Sequence, residues 1–205
     1  MKEDYYGRLR PEIVGMIPQG CRSVLDVGCG VGTLGAYLKQ KGVAEVCGIE
    51  LFHDAANEAR KVLNTVIEGD IESVLLPFTK DQFDCIICAD VLEHLVNPWE
   101  VVGKLKGYLR PGGCIVASIP NVGFHRVVRA LMKGRWRYAD AGTLDRTHLR
   151  FFTLEGIEDL FAQNGLKLEK VYRKIDSGYN MKLLNLVTFN RLKESLVFQY
   201  VIRVR

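Results

Sequence analysis

VLDVGCGVGTLG, Val24 to Gly35, decides how this chain is read. An apolar run through Val24, Leu25 and Val27 stops at three glycines spaced by two, Gly28, Gly30 and Gly32, and a helical pattern through Leu34, Tyr37 and Leu38 follows at once. That order predicts a strand, a tight turn and a helix. Glycines at such a turn let the backbone take positive φ and come within contact distance of a bound molecule. The turn sits at the carboxyl end of a strand, where open α/β sheets bind their ligands. It is therefore a ligand-binding loop.

Gly30 to Gly35 also satisfies G-x-G-x-x-G, a pattern that means little without context. In a dinucleotide site the first glycine follows the strand directly and a pyrophosphate rests on the helix N-terminus. Here Gly28 takes that place and Asp26 stands just before it. A carboxylate there repels a pyrophosphate and suits a cation such as an ammonium or a sulfonium. Glu50 closes the next strand, Glu45 to Glu50, about 20 residues after the glycines, where an acid can take two ribose hydroxyls.

The series Asp26, Gly28, Gly30, Gly32 resembles the first motif of the class I S-adenosylmethionine-dependent methyltransferases. The likeness continues through Gly69-Asp70-Ile71 after a third strand (Thr65 to Glu68), a fourth strand (Phe83 to Ala89) ending at Asp90, and the turn Leu109-Arg110-Pro111-Gly112-Gly113. It spans Val24 to Ser118. It implies an α/β fold, a Rossmann-like seven-stranded, mostly parallel sheet with helices on both faces and an antiparallel last strand set beside the fifth. S-adenosylmethionine would be the cofactor and S-adenosylhomocysteine the product. Asp26 with Gly28, Cys29 and Gly30 would hold the methionine portion and Glu50 the ribose. Asp70 would accept from the adenine amino group with Ile71 against the ring, and Leu51 and Asp90 would border the same pocket.

With 205 residues and 48% hydrophobic content, one domain over residues 1–205 is expected. The first residues are charged, and nowhere do ~18 apolar residues run together, which points to a cytoplasmic chain without a transmembrane segment. Of six cysteines, Cys85 and Cys88 form C-x-x-C, but inside a strand that spacing turns the two side chains to opposite faces and argues against zinc or redox work. The net charge of +4 is unevenly placed: residues 121–150 hold seven basic side chains against Asp140 and Asp145, a net +5. Arginine forks bind phosphates and carboxylates, so a small anionic acceptor is favoured over a merely solvated face. Nucleic acid is disfavoured, because more interleaved aromatics and a pI above about 9 would be expected, against 8.7 here.

A short helix is predicted over Tyr5 to Ile17, within an N-terminal segment of residues 1–20. It either covers a sheet edge or, as the resemblance implies, lids the cofactor with Tyr5 or Tyr6. Further helices are expected over Thr33 to Gln40, over Asp54 to Leu63, and from Asn97-Pro98-Trp99-Glu100, where Asn97 can cap and Glu100 can reach back. Trp99 is read as core. Cys114 to Ile119 reads as the fifth strand. The pattern is then lost for about thirty residues, a length that favours a functional segment over a plain connection. Thr153 caps the next helix, and Leu166 to Ile175 and Leu196 to Val204 read as strands. Between them lies a helical insert, residues 176–195. Its amphipathic part, Met181 to Lys193, packs on the domain, with a homodimer contact or an interfacial anchor as alternatives.

Methyl transfer from a sulfonium is an in-line displacement, and an enzyme contributes chiefly by positioning. An oxygen acceptor also calls for a general base or a metal. Asp90-Val91-Leu92-Glu93-His94 follows the fourth strand directly, so His94 and, from the later segment, His148 are the candidate catalytic residues. The string Asp145 to Thr153, DRTHLRFFT, resembles a segment of methyltransferases from bacterial surface-glycan clusters, which would make the acceptor a glycan or nucleotide-sugar precursor. Asp90, Glu93, His94 and His148 also correspond to the ligands of metal-dependent ribose methyltransferases of small RNAs, and ubiquinone-pathway O-methyltransferases share a similar Glu-His pair. Asp90 is shorter than the first ligand of that pattern. The favoured reading of Glu93-His94 is a helix-start pair that orders the loop, with no metal. RNA methylation, a nicotinamide-dependent oxidoreductase and a non-catalytic cofactor-binding module are the rivals.

Overall fold

The computed structural model describes residues 9–176 and 192–205. Its seven strands are β1 (Ser23–Val27), β2 (Glu45–Glu50), β3 (Thr65–Glu68), β4 (Phe83–Ala89), β5 (Leu109–Pro120), β6 (Leu168–Ile175) and β7 (Val197–Val204). They form one sheet in the order β3-β2-β1-β4-β5-β7-β6. β7 runs antiparallel to both β5 and β6, so β6 keeps the direction of the first five. This is the Rossmann-like arrangement expected, with the order reversing between β1 and β4, where a crevice opens at the carboxyl ends of the strands.

The central strands are buried on both faces because helices cover both. Leu25, Val27, Cys88 and Ile115 face the core built by α4 (Pro98–Lys106) and α6 (Leu154–Ala162). Val24, Val46, Cys85 and Val116 face a second core closed by α1 (Pro11–Val14), α2 (Thr33–Gln40) and α3 (His53–Ala59). Cys85 and Cys88 thus point to opposite faces, and all six cysteines are free.

Several elements differ in extent from expectation. Only Pro11–Val14 of the N-terminal helix is helical among the described residues, and Tyr5 and Tyr6 lie outside them. The amphipathic stretch from Met181 also lies outside, save Leu192 and Lys193. α3 stops at Ala59 rather than Leu63. The turn through Gly112 is absorbed into β5, with a shift of register against β4. The segment after β5 is not without pattern: it holds a helix, α5 (His125–Leu131). Asn97 caps α4 by accepting from the Glu100 N–H. The reciprocal bond comes from Glu72, whose carboxylate accepts from the Val96 and Asn97 N–H groups. Trp99 is half-buried against the α4 core, under the Arg150 guanidinium.

β2 must carry glycine at position 48. A Cβ there would lie 2.5 Å from Cys29 Sγ and 2.8 Å from Leu63 Cδ1. Gly48→Ala is expected to destabilise the protein by about 1–3 kcal/mol through overpacking, read from the urea midpoint, and Cys29→Ala in the same chain should recover part of the loss.

Candidate active site

The glycine loop leaves β1 with Gly28, Gly30 and Gly32 all left-handed, at φ of 71°, 55° and 83°. The Gly28 and Cys29 N–H groups both donate to the Ile49 carbonyl, at 2.8 and 3.1 Å, which binds the loop to the end of β2. A side chain at Gly28 would meet Val91 at 2.8 Å, so only a bare backbone lets the loop lie against the turn after β4.

Two acids sit under this loop. Glu50 is buried and both its oxygens are engaged: Oε2 accepts from the Gly30 N–H at 2.7 Å and Oε1 from the Phe52 N–H at 3.0 Å. It braces the loop, and the second lone pair on each oxygen remains for another donor. Asp26 lies between Gly48 of β2 and Ile87 of β4 in register. Burial, with the Glu50 charge adding to it, pushes its carboxyl up to about 7. Leu51 is exposed beyond Glu50, while Ile71 is buried in the core at the end of the β3 turn. Asp70 is exposed and accepts from the Glu72 N–H through Oδ1.

Asp90 is the left-handed residue (φ 57°) that ends β4. Its carboxylate is taken up by Arg10 at 2.7 Å, by the Ser118 hydroxyl at 2.6 Å and by Gln199 Nε2 at 2.7 Å. Arg10 also reaches Ser118 Oγ and Gln199 Oε1. One guanidinium therefore ties the start of α1 across the ends of β4, β5 and β7. The sequence carries no sign of this role for Arg10. Asp90 does not join the histidines.

Glu93, His94 and His148 do come together. Among the described residues they are the one group of three or more His, Cys, Asp or Glu side chains in which each offers a ligand atom within 4.8 Å of the others. The two rings meet edge to face at 4.7 Å. His94 Nδ1 is 3.2 Å from the Thr147 carbonyl and His148 Nδ1 is 3.0 Å from the Thr143 carbonyl. A carbonyl can only accept, so each Nδ1 carries the proton and each Nε2 keeps its lone pair. Burial and the neighbouring His148 hold His94 below the usual imidazole range. Glu93 is 1% exposed, and neither of its carboxylate oxygens has a hydrogen-bond partner among the described residues. Burial, with Asp90 adding to it, pushes its carboxyl well above the usual range. The loop-ordering role expected of this pair is met by His94 and by the Glu93 carbonyl, which accepts from the Leu149 and Arg150 N–H groups. The Glu93 carboxylate takes no part in it. His53, by contrast, is exposed and bonded to Glu68.

A buried carboxylate without a hydrogen donor, beside two imidazoles whose far nitrogens are fixed by carbonyls, is the arrangement by which proteins orient metal ligands. The residues present fit a divalent cation.

The family model described as "Methyltransferase domain" matches residues 3–171. The chain belongs to that family. Among curated relatives, this chain is 35% identical over 139 residues to a ubiquinone biosynthesis O-methyltransferase of Xylella fastidiosa, covering 60% of this chain and 56% of that protein. It is 27% identical over 161 residues to the mitochondrial ubiquinone biosynthesis O-methyltransferase of Dictyostelium discoideum, covering 71% and 50%. The chain spans about half the length of the curated relatives it matches. The fold is shared with a SAM-dependent methyltransferase from Archaeoglobus fulgidus (TM-score 0.67, 22% identity, 100% of this chain and 94% of that one). It is shared too with an S-adenosylmethionine-dependent methyltransferase from Mesorhizobium loti (TM-score 0.66, 18% identity, 95% and 96%).

Asp26 generates a stability prediction. Its carboxyl is raised from 3.8 to about 7 on folding, so the folded state holds a proton the unfolded state has lost between those values, and stability falls as pH rises through that window. Asp26→Asn should therefore stabilise the ligand-free protein by about 2–4 kcal/mol at pH 8. The gain should shrink toward pH 4 in denaturation curves taken across the range.

Proposed function

We propose that this chain transfers a methyl group from S-adenosylmethionine to an oxygen of a small anionic acceptor, with Glu93, His94 and His148 holding a divalent cation beside that oxygen. The carrying observation is the Glu93 carboxylate, buried without a hydrogen donor next to two imidazoles with free Nε2 atoms. Family membership supports the reaction class, and the O-methyltransferase names of the relatives support oxygen as the accepting atom.

Asp26 faces the cofactor's charged methionine end, and the bare glycine loop lets the backbone approach it. Glu50 accepts from the ribose hydroxyls through its unused lone pairs. Asp70 Oδ1 is committed to Glu72, so Oδ2 accepts from the adenine amino group, between Leu51 and Ile71. Displacement needs the acceptor oxygen in line with the methyl carbon at about 3 Å, and it needs the hydroxyl proton gone. When bound, the cation would lower the proton affinity of that hydroxyl, so that its proton is lost to water, while the electron pair of the broken methyl–sulfur bond stays on sulfur to give S-adenosylhomocysteine. Imidazole nitrogens with one carboxylate suit Mn²⁺ better than Mg²⁺, which prefers oxygen throughout. This revises the metal-free expectation for His94 and His148. The net +5 of residues 121–150 supports an acidic acceptor, a glycan or nucleotide-sugar precursor among the candidates.

Calorimetry with Mn²⁺ tests the site without knowing the acceptor. The protein should bind one equivalent, and Glu93→Gln or His148→Ala should weaken binding at least tenfold while leaving S-adenosylhomocysteine affinity unchanged. Transfer of label from S-adenosylmethionine onto fractionated cell extract should be lost with EDTA and restored by Mn²⁺. Absence of Mn²⁺ binding together with EDTA-insensitive transfer would overturn the metal and leave the imidazoles as bases.

Affinity for S-adenosylhomocysteine should fall about tenfold per pH unit below 7, as Asp26 takes up the proton that an ammonium ligand must displace. A flat profile in the wild type, or the same slope in Asp26→Asn, would remove Asp26 from the cofactor site.

A further inference from the structure

Residues 131–142 are exposed without a break, and they follow directly on α5. Within this stretch and the helix before it, large apolar and basic side chains share the surface. Leu131 is 54% exposed and Met132 84%, with Trp136 and Tyr138 also open to solvent. Arg126, Arg129, Lys133, Arg135 and Arg137 lie among them, and no acidic residue occurs between Asn121 and Ala139. The acidic groups near the patch sit at its margins: Asp176 is 3.9 Å from Arg126, and Asp140 is paired with Arg146 at 2.7 Å.

We propose that residues 126–138 dock this methyltransferase on an anionic membrane surface. Aliphatic tips flanked by arginines and lysines, with a tryptophan and a tyrosine, have the composition of segments that lie in a bilayer interface. The apolar tips enter the headgroup boundary while each basic residue near the surface strengthens binding about fivefold, over a range set by the Debye length. Two other occupants fit less well. Leu131 and Met132 can neither stack on bases nor donate to phosphates, so a nucleic acid would leave the most exposed apolar surface unused. A two-fold dimer through this patch would set five positive charges against their own copies.

The patch is joined to the site described above. Ala139 bridges to Asp145, the Arg146 N–H donates to the Ala139 carbonyl, and the same loop delivers the Thr143 carbonyl to His148 Nδ1. Docking would bring the histidine side of the site to the bilayer. On the reaction proposed above, the acceptor would then be met at the lipid surface. Vesicle binding itself does not depend on that reaction.

Co-sedimentation of the full chain with vesicles tests the surface directly. Vesicles of phosphatidylcholine with about a quarter phosphatidylglycerol should bind at least tenfold more protein than phosphatidylcholine alone, and raising salt to about 0.5 M should remove most of the difference. Leu131→Glu with Met132→Glu should lower binding at least tenfold while leaving the thermal midpoint and S-adenosylhomocysteine affinity unchanged. The proposal is overturned if neutral and anionic vesicles bind alike, or if the double variant binds anionic vesicles as the wild type does. It is also overturned if a short single-stranded RNA binds wild type and double variant equally and displaces the protein from vesicles.

Discussion

The structure depends on keeping carboxylates out of water at the carboxyl edge of a sheet whose own backbone can compensate only some of them. Glu50 is the compensated case: each of its two oxygens accepts from a backbone N–H group, and one of these belongs to the glycine loop, so this acid holds the loop in shape. Asp26, one strand away, has the same burial and feels the charge of Glu50, and its carboxyl is pushed up to about 7. Glu93 goes further, with neither oxygen bonded. Ionising a buried carboxyl without compensation is costly, so burial favours the protonated form of both groups. On the function proposed above, bound cations, one organic and one metallic, would take the place of those protons. Ligands that bind only the folded state return that free energy as stability.

Asp90 shows the opposite solution to the same problem. It ends β4 in a left-handed conformation that aspartate, like asparagine, adopts more readily than most residues, and it is held there by Arg10, Ser118 and Gln199. The partners come from the N-terminal segment, β5 and β7. Neutralising Asp90 therefore also fixes the entry of the N-terminal chain over the strand ends. The carboxylate that the metal pattern would have used is spent on architecture, and the other three residues of that pattern are those that cluster.

The parts legible in the sequence are those decided by local chemistry. β2, β3, β4 and α2 fall on the expected residues because period-two or period-3.6 apolar patterns are interrupted there by glycine or acid, and Asn97 and Thr153 cap as their side chains predict. α5 was illegible because it buries fully only Val127, so no apolar stripe marks it. Glu100 followed the capping-box spacing, yet Glu72, 25 residues before Asn97, took the bond. The site behaves likewise. Asp26, Glu50, Glu93, His94 and His148 could each be picked out by position. What separates a loop-ordering glutamate from a metal ligand is whether hydrogen donors reach its oxygens, a fact of packing between segments more than 50 residues apart.

One segment between β5 and α6 carries His148, the carbonyls that set both histidine tautomers, and the basic, apolar surface beside them. Its first part is held by Asn121 on Phe198, Glu194 and Val197 and by the His125 ring on the Ser195 carbonyl, whereas Thr147 to Arg150 are held by the Leu149 and Arg150 N–H groups on the Glu93 carbonyl, Arg150 on the Val96 carbonyl, and the His94 ring on the Thr147 carbonyl. The bonds of Thr147 to Arg150 all converge on the turn that presents Glu93. A displacement of this segment must move His148 relative to Glu93, whereas the glycine loop, tied to β2 by its own bonds, need not respond. The fold thus separates the glycine loop, bound to the strand ends, from the Glu93, His94 and His148 cluster, whose geometry is set by how one exposed segment is seated.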